Sequence, residues 1–252
     1  MRPWFIALAL ACSCAFAQPP HAGLDQHVGA RVPLDAQVVD ENGSHRTLAH
    51  YVDGSRPVLL VPGYYRCTQL CGLVMRSLVD ALKASGTPGD RWRIVGISID
   101  PNDTPADARA RRKLDVDYAG RDIDLHLLTA APHDVARVAD AIGIRFEAVR
   151  GGGGAVTIAH PATVVVLTPQ GKISRYFNGV GLDGSEMAVA LADAGGNRIG
   201  AITTRLALLC AHFDPRQGLH SAAVMNGTRI VSLLLVIALG GWMWRHRRGG
   251  TQ

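Results

Sequence analysis

The chain has 252 residues, a formal net charge of +5, and 19% charged and 48% hydrophobic residues. No nucleic-acid-binding motif occurs in it, and part of the basic excess gathers in a tail with Arg245, Arg247 and Arg248, so a nucleic-acid partner is excluded. Five cysteines and ten histidines leave redox and metal chemistry open.

Residues 1–17 read as a secretory signal peptide. One Arg precedes an apolar run, and Ala15-Phe16-Ala17 is a small-x-small cleavage site. Neither Cys12 nor Cys14 follows a Leu-Ala-Gly type box, which argues against a lipid anchor there. Cleavage leaves Cys67, Cys71 and Cys210, an odd set that does not form a disulfide framework. Residues 18–33 form an N-terminal arm, and residues 34–196 the main domain. Residues 197–228 are a membrane-proximal helical segment. Residues 229–245 are expected to be a transmembrane helix, with Arg229 snorkelling and Trp242 and Trp244 at the interface. The basic tail, 246–252, then lies in the cytoplasm by the positive-inside rule. The expected location is the inner membrane of a bacterium, with the domain facing the periplasm.

Within the domain, residues 33–48 alternate around Asn42-Gly43, a hairpin signal. Residues 57–63 (PVLLVPG) are a continuous apolar run, as in a strand buried on both faces. From Cys67 to Ala84 the spacing of Leu70, Leu73, Val74, Leu78, Val79 and Leu82 predicts a helix stopped by Gly86. Residues 93–100 form a second buried strand. Thr104-Pro105 is an N-cap with Pro at N1, opening a basic helix to about Leu114. A short strand at 125–128 follows, then a helix over 132–142 closed by Gly143. Residues 151–154 are a four-glycine loop. Residues 156–167 and 172–178 pair as a hairpin, and residues 185–194 form the last helix of the domain. The order βαβ, α, β-hairpin, α is that of an α/β thioredoxin-like fold, here with an N-terminal β-hairpin extension.

Cys67 and Cys71 fall at the first strand-to-helix junction, where open α/β sheets place their sites. Residues i and i+4 of a helix share a face, about 5–6 Å apart at Cβ, so the pair can clamp a metal or close a disulfide. Two buried thiols are the plain alternative. His160, in TIAHPATVVVL, is placed to face the cysteine helix, and Pro161 stands where such folds often carry a cis-proline. Two thiolates and one imidazole suit copper, whereas structural zinc prefers four ligands and no fourth is evident.

Three blocks in this order, GYYRCTQLC, VGISIDPNDTP and AHPATVVVLTPQGKISRYFNGV, resemble the SCO/SenC family of copper-binding, thioredoxin-fold proteins. The resemblance spans roughly residues 34–194. It implies copper, as Cu(I) or Cu(II), held by Cys67, Cys71 and His160. It also implies a role in assembling the copper site of cytochrome c oxidase subunit II, or of another copper protein, as a metallochaperone rather than an enzyme. The sequence departs from the family at Thr68 and Gly72, where Pro commonly follows each cysteine, and at Ala159, where Asp often precedes the His. The rival reading is a thiol–disulfide oxidoreductase with Cys67 and Cys71 as its redox pair.

Other residues carry weaker signals. Met75, one turn past Cys71, is assigned to the core rather than to copper. Asp100 and Asp103 are candidates for holding the loop near the site, or for a turn and cap. Cys210 and His212 are a possible secondary metal or partner site in the membrane-proximal segment.

Overall fold

The computed structural model describes residues 22–66, 70–150 and 156–200, and residues 231, 232, 234 and 235. The chain divides into two units, residues 1–200 and 201–252. In the second unit Val231, Ser232, Leu234 and Leu235 are helical and exposed. Among the described residues no helix is long and apolar enough to cross a membrane, and most of the expected 229–245 span lies outside them. So do the expected signal peptide, Cys210 and His212.

The first unit opens with strand β1 (Gly23–Leu24), then the β2 (Gln37–Val39) and β3 (His45–Thr47) hairpin. Its turn forms as expected. Gly43 takes φ +83, a conformation that glycine reaches without strain. One Asp40 carboxylate oxygen accepts from the Asn42 and Ser44 amides at 2.9 and 2.8 Å. Strand β4 (Val58–Gly63) follows, then helix α1 (Leu70–Ala84), β5 (Arg93–Ser98), α2 (Pro105–Ala119) and β6 (Leu125–Leu128). After α3 (Pro132–Ala141) come the short strands β7 (Ile144–Arg145), β8 (Glu147–Arg150) and β9 (Val156–Ala159). Then β10 (Thr163–Leu167), β11 (Ile173–Asn178) and α4 (Gly184–Gly195) complete the unit.

The central sheet has the order β11-β10-β4-β5-β6. β4, β5 and β6 run parallel, while β10 is antiparallel to both β4 and β11. The apolar run of β4 is buried on both faces because alternate residues feed two cores. Leu59 and Val61 pack with Val74, Leu78, Ala108 and Met187 from α1, α2 and α4. Val58 and Leu60 pack on the other face with Val38, Leu48, Val138 and Ile142. Each such aliphatic side chain contributes about 2 kcal/mol of transfer free energy. The stretch before residue 34 joins the second core: Val32 is buried, and β1 pairs with β7.

Three expectations are corrected. Leu73 is exposed, not part of the buried stripe. It lies one turn before Ser77, whose hydroxyl accepts from the Gly181 and Leu182 amides, whereas the sheet-facing stripe is Val74, Met75, Leu78, Val79 and Leu82. Helix α2 continues past Leu114 to Ala119 and ends at Gly120 in the left-handed region. Leu114 is itself exposed; the extra turn is supported by the i,i+4 pairs Arg111–Asp115 and Lys113–Asp117. Residues 156–167 are two strands, not one. β9 pairs with β8 in a separate hairpin, and β10 joins the central sheet. Pro161, lacking an N–H, stands in the break, and its bond to His160 is trans. The glycine loop 151–154 lies outside the described residues.

Helix α2 begins with a full capping box between Thr104 and Asp107. We expect Thr104→Ala to cost about 1 kcal/mol, read as a lower urea midpoint with an unchanged slope.

A partly buried charge network ties the hairpin to the sheet edge. The His126 ring lies 3.1 Å from Asp124 and 3.7 Å from Glu41. Burial alone would push the His126 pKa down, but hydrogen bonds to Asp124 and Glu41 outweigh it and raise it to about 9. The charged imidazole therefore stabilises the fold fully below pH 6.5, its ordinary value, and this contribution is lost as pH rises through about 9. Urea midpoints measured across that window should fall with pH. His126→Gln should flatten the decline, and an undiminished slope in that variant would refute the assignment.

Candidate metal centre

The carboxyl ends of the parallel strands β4 and β5 meet at one end of the sheet. The chain leaves β4 at Gly63, runs through Tyr64, Tyr65 and Arg66, and enters α1 at Leu70. Cys67 lies between, outside the described residues. Cys71 is in the first turn of α1.

The loop before Cys67 is pinned by Asp103. Its carboxylate is fully buried and accepts from the Tyr65 amide at 2.6 Å, the Ser98 hydroxyl at 2.7 Å and Arg66 Nε at 3.0 Å. Arg66 Nη2 also donates to Asp100 at 3.0 Å. Of the two roles the sequence left open for Asp103, the structure realises the loop clamp, while Thr104 and Asp107 form the cap. Tyr65 adds a second anchor. Its hydroxyl, 2.6 Å from the Leu128 carbonyl, donates to the end of β6, and burial holds its pKa well above the usual tyrosine value.

His160 approaches from the break between β9 and β10. Its ring makes an edge contact with Tyr64, centroids 6.0 Å apart, which brings it to the loop that precedes Cys67. Nδ1 lies 3.0 Å from the Pro161 carbonyl oxygen. A carbonyl only accepts, so Nδ1 carries the hydrogen and the lone pair is on Nε2, the nitrogen suited to a metal. Burial lowers the His160 pKa against the opposing effect of that hydrogen bond, so the ring is neutral at pH 7. The orienting acceptor that Ala159 cannot supply is thus provided by the backbone one residue on.

A small cavity of about 40 Å³ joins these parts, lined among others by Tyr64, Met75, Arg111, Asp115, His160 and Thr163. That volume holds a few waters at most. Met75 is buried and packs in the core, as expected, although its side chain also reaches the cavity wall. Among the described residues, no group of three or more His, Cys, Asp or Glu is placed to hold a metal. Cys67, one of the expected cysteine pair, lies outside the described residues. Sequence reading missed Tyr64, Tyr65, Arg111 and Asp115. The tyrosines immediately precede the motif, and Arg111 and Asp115 carry the i,i+4 spacing of an ion pair, so the signal was present but pointed to no site.

The SCO1/SenC family model matches residues 28–194. The chain belongs to the SCO1/SenC family. Among solved structures, a candidate electron transfer protein from Aquifex aeolicus VF5 is 30% identical, with a TM-score of 0.57, covering 67% of this chain and 95% of that one. Bradyrhizobium japonicum ScoI with copper bound is 25% identical, with a TM-score of 0.50, covering 66% and 99%. Yeast Sco1, at 16% identity and a TM-score of 0.51, covers 66% and 99% and shares the fold. No curated protein matches the chain. The sheet order and helices of this SCO1/SenC chain are the thioredoxin-like α/β arrangement that the sequence led us to expect.

Proposed function

We propose that this SCO1/SenC protein is a copper chaperone that binds one copper ion through Cys67, Cys71 and His160 and delivers it to the copper site of cytochrome c oxidase. The observation that carries this reading is the His160 imidazole. It is neutral, half-buried, holds its lone pair on Nε2, and contacts the loop that leads into the CxxxC segment. The donor set fits the cargo: soft thiolates select Cu(I), and imidazole suits copper in either oxidation state. The copper-bound relative from Bradyrhizobium supports the same choice. Release proceeds by ligand exchange with an incoming acceptor. The domain acts from the outer face of the inner membrane, held there by the apolar segment 229–245, in which Val231, Leu234 and Leu235 are helical and exposed.

The test is a Cu(I) titration of the reduced full chain in mild detergent against a competing chelator. One tight equivalent, lost in Cys67→Ser and in Cys71→Ser, is expected. Retention of that equivalent in either variant would remove the cysteine from the ligand set.

A thiol–disulfide role is the second reading. It is favoured by the place of Cys71 in the first turn of α1 and by similarity to the Aquifex candidate electron transfer protein. In that role the reduced Cys67–Cys71 pair would reduce a partner disulfide to a dithiol and itself become a disulfide. No tight copper, together with a readily formed Cys67–Cys71 disulfide, would select it over the chaperone.

A further inference from the structure

The β11 edge of the central sheet carries cations that no carboxylate neutralises. Residues 29–32 run alongside the start of β11: the Gly29 amide donates to the Ile173 carbonyl and the Ile173 amide to the Ala30 carbonyl, each at 2.8 Å. Arg31 therefore stands directly opposite Lys172. Ile173 turns into the second core, which sends Lys172 and its cross-strand neighbour Arg31 to the other face. Arg175 shares that face, because it lies opposite Val166 of the first core. Residues 198–200 continue the surface. The Ser174 hydroxyl donates to the Arg198 carbonyl at 2.9 Å, and a Cβ added at Gly200 would lie 3.0 Å from Arg175 Nε. Arg31 and Lys172 are exposed and Arg175 is half-buried. Among the described residues no carboxylate pairs with any of the three, and Asp193 is taken by Arg198 at 3.0 Å. Like charges directly opposite each other destabilise a strand pair, so the fold does not account for Arg31 against Lys172. Two aliphatic side chains share the edge. Val28 is 41% and Ile199 46% exposed, and Ile199 Cδ1 is 3.4 Å from where a Cβ of Gly29 would stand.

We propose that Arg31, Lys172 and Arg175, with Val28 and Ile199, form a patch that docks the domain on an anionic phospholipid surface. This rests on the anchoring by segment 229–245 proposed above. Cations beside exposed aliphatic side chains match a bilayer interface, with lipid phosphates for the charges and the acyl boundary for Val28 and Ile199. The chain leaves the domain at this patch, at Gly200, and residues 201–228 hold it within about 100 Å of segment 229–245 however they are arranged. Such a tether keeps the local concentration of the patch at the bilayer high, which favours the membrane over a diffusing acidic protein as its partner. Each Lys or Arg brought near an anionic surface strengthens binding about fivefold, and the attraction is screened beyond about 10 Å at 0.1 M salt. Docking of this kind is reversible and salt-sensitive. The patch lies at the opposite end of β10 from His160, so docking leaves the His160 end open to an incoming partner.

The test uses the full chain reconstituted in nanodiscs of phosphatidylcholine alone and of phosphatidylcholine mixed with phosphatidylglycerol. Lys172 reports directly, because the chain's other lysines, Lys83 and Lys113, lie on α1 and α2, outside the patch. Acetylation of each lysine is followed by mass spectrometry. At low salt Lys172 should react about fivefold more slowly in the phosphatidylglycerol discs, with Lys83 and Lys113 unchanged, and high salt should remove the difference. Arg31→Gln combined with Arg175→Gln should restore most of the Lys172 rate. The same double variant should keep the urea midpoint at or above that of the unaltered chain, since it relieves the like-charge pair. Equal Lys172 rates in the two discs, equal slowing of all three lysines, or slowing that survives the double substitution in a folded protein would overturn the proposal. Failure of the full chain to enter the discs would instead refute the anchoring on which it rests.

Discussion

Replacing His160 by alanine should abolish tight Cu(I) binding while leaving the Cys67–Cys71 pair able to form a disulfide. The imidazole enters from the β9–β10 break, and its Nδ1–H is spent on the Pro161 carbonyl, so the ring offers Nε2 as a fixed, neutral donor. Losing a ligand should cost more than losing a group behind a ligand, so the drop in affinity should exceed about 100-fold. The fold should barely respond, because the ring belongs to neither apolar core. The measurement is the Cu(I) titration paired with thiol alkylation after mild oxidation. Copper affinity equal to that of the unaltered chain would exclude His160 from the site. Loss of disulfide formation alongside copper would assign the ring to the thiols rather than to the metal.

Asp103→Ala should be the most destabilising change near the site. It strands the Tyr65 amide, the Ser98 hydroxyl and one side of Arg66 together, at the base of the loop that carries Cys67. Hydrogen bonds to a buried charged group are worth about 1.5–3 kcal/mol each, and these three are coupled. Arg66 is half exposed and recovers water, which discounts its share. A net loss of about 3 kcal/mol is therefore expected, or roughly 6–12 °C in Tm for a domain of this size. Asp103→Asn preserves the shape and one acceptor oxygen, and should recover part of the loss. Copper affinity should fall in both variants, since the loop before Cys67 loses its clamp. A melting temperature within about 2 °C of the unaltered protein would show that the loop is held by something else.

Most of the secondary structure was legible because local chemistry dictated it. The continuous apolar run 57–63 reads as a strand buried on both faces and Thr104-Pro105 as an N-cap with proline at N1, and both form. The Asn42-Gly43 turn and the glycine stops after α1 and α3 follow from glycine's access to positive φ. What local chemistry could not supply was the partner of each strand. Residues 156–167 look uniformly β-forming, yet they split between two sheets, because β8 pairs with their first half and β4 with their second. Nothing in 147–150, with Val149 exposed, announced β8.

The site divides in the same way. The sequence by itself supplied the candidate donors: two cysteines at i and i+4 at a strand-to-helix junction, and a histidine heading a later strand. It also determined family membership, since three ordered blocks carry more information than any one of them. Only the tertiary structure decided which nitrogen of His160 bears the lone pair, that Asp103 clamps the loop before Cys67, and that Arg111 and Asp115 reach the cavity beside α1. The physical reason is separation along the chain. Asp103 lies 38 residues from the Tyr65 amide it accepts from. A hydrogen bond across that distance exists only once the parallel crossover has placed the end of β5 beside the end of β4, and no spacing in the sequence encodes it.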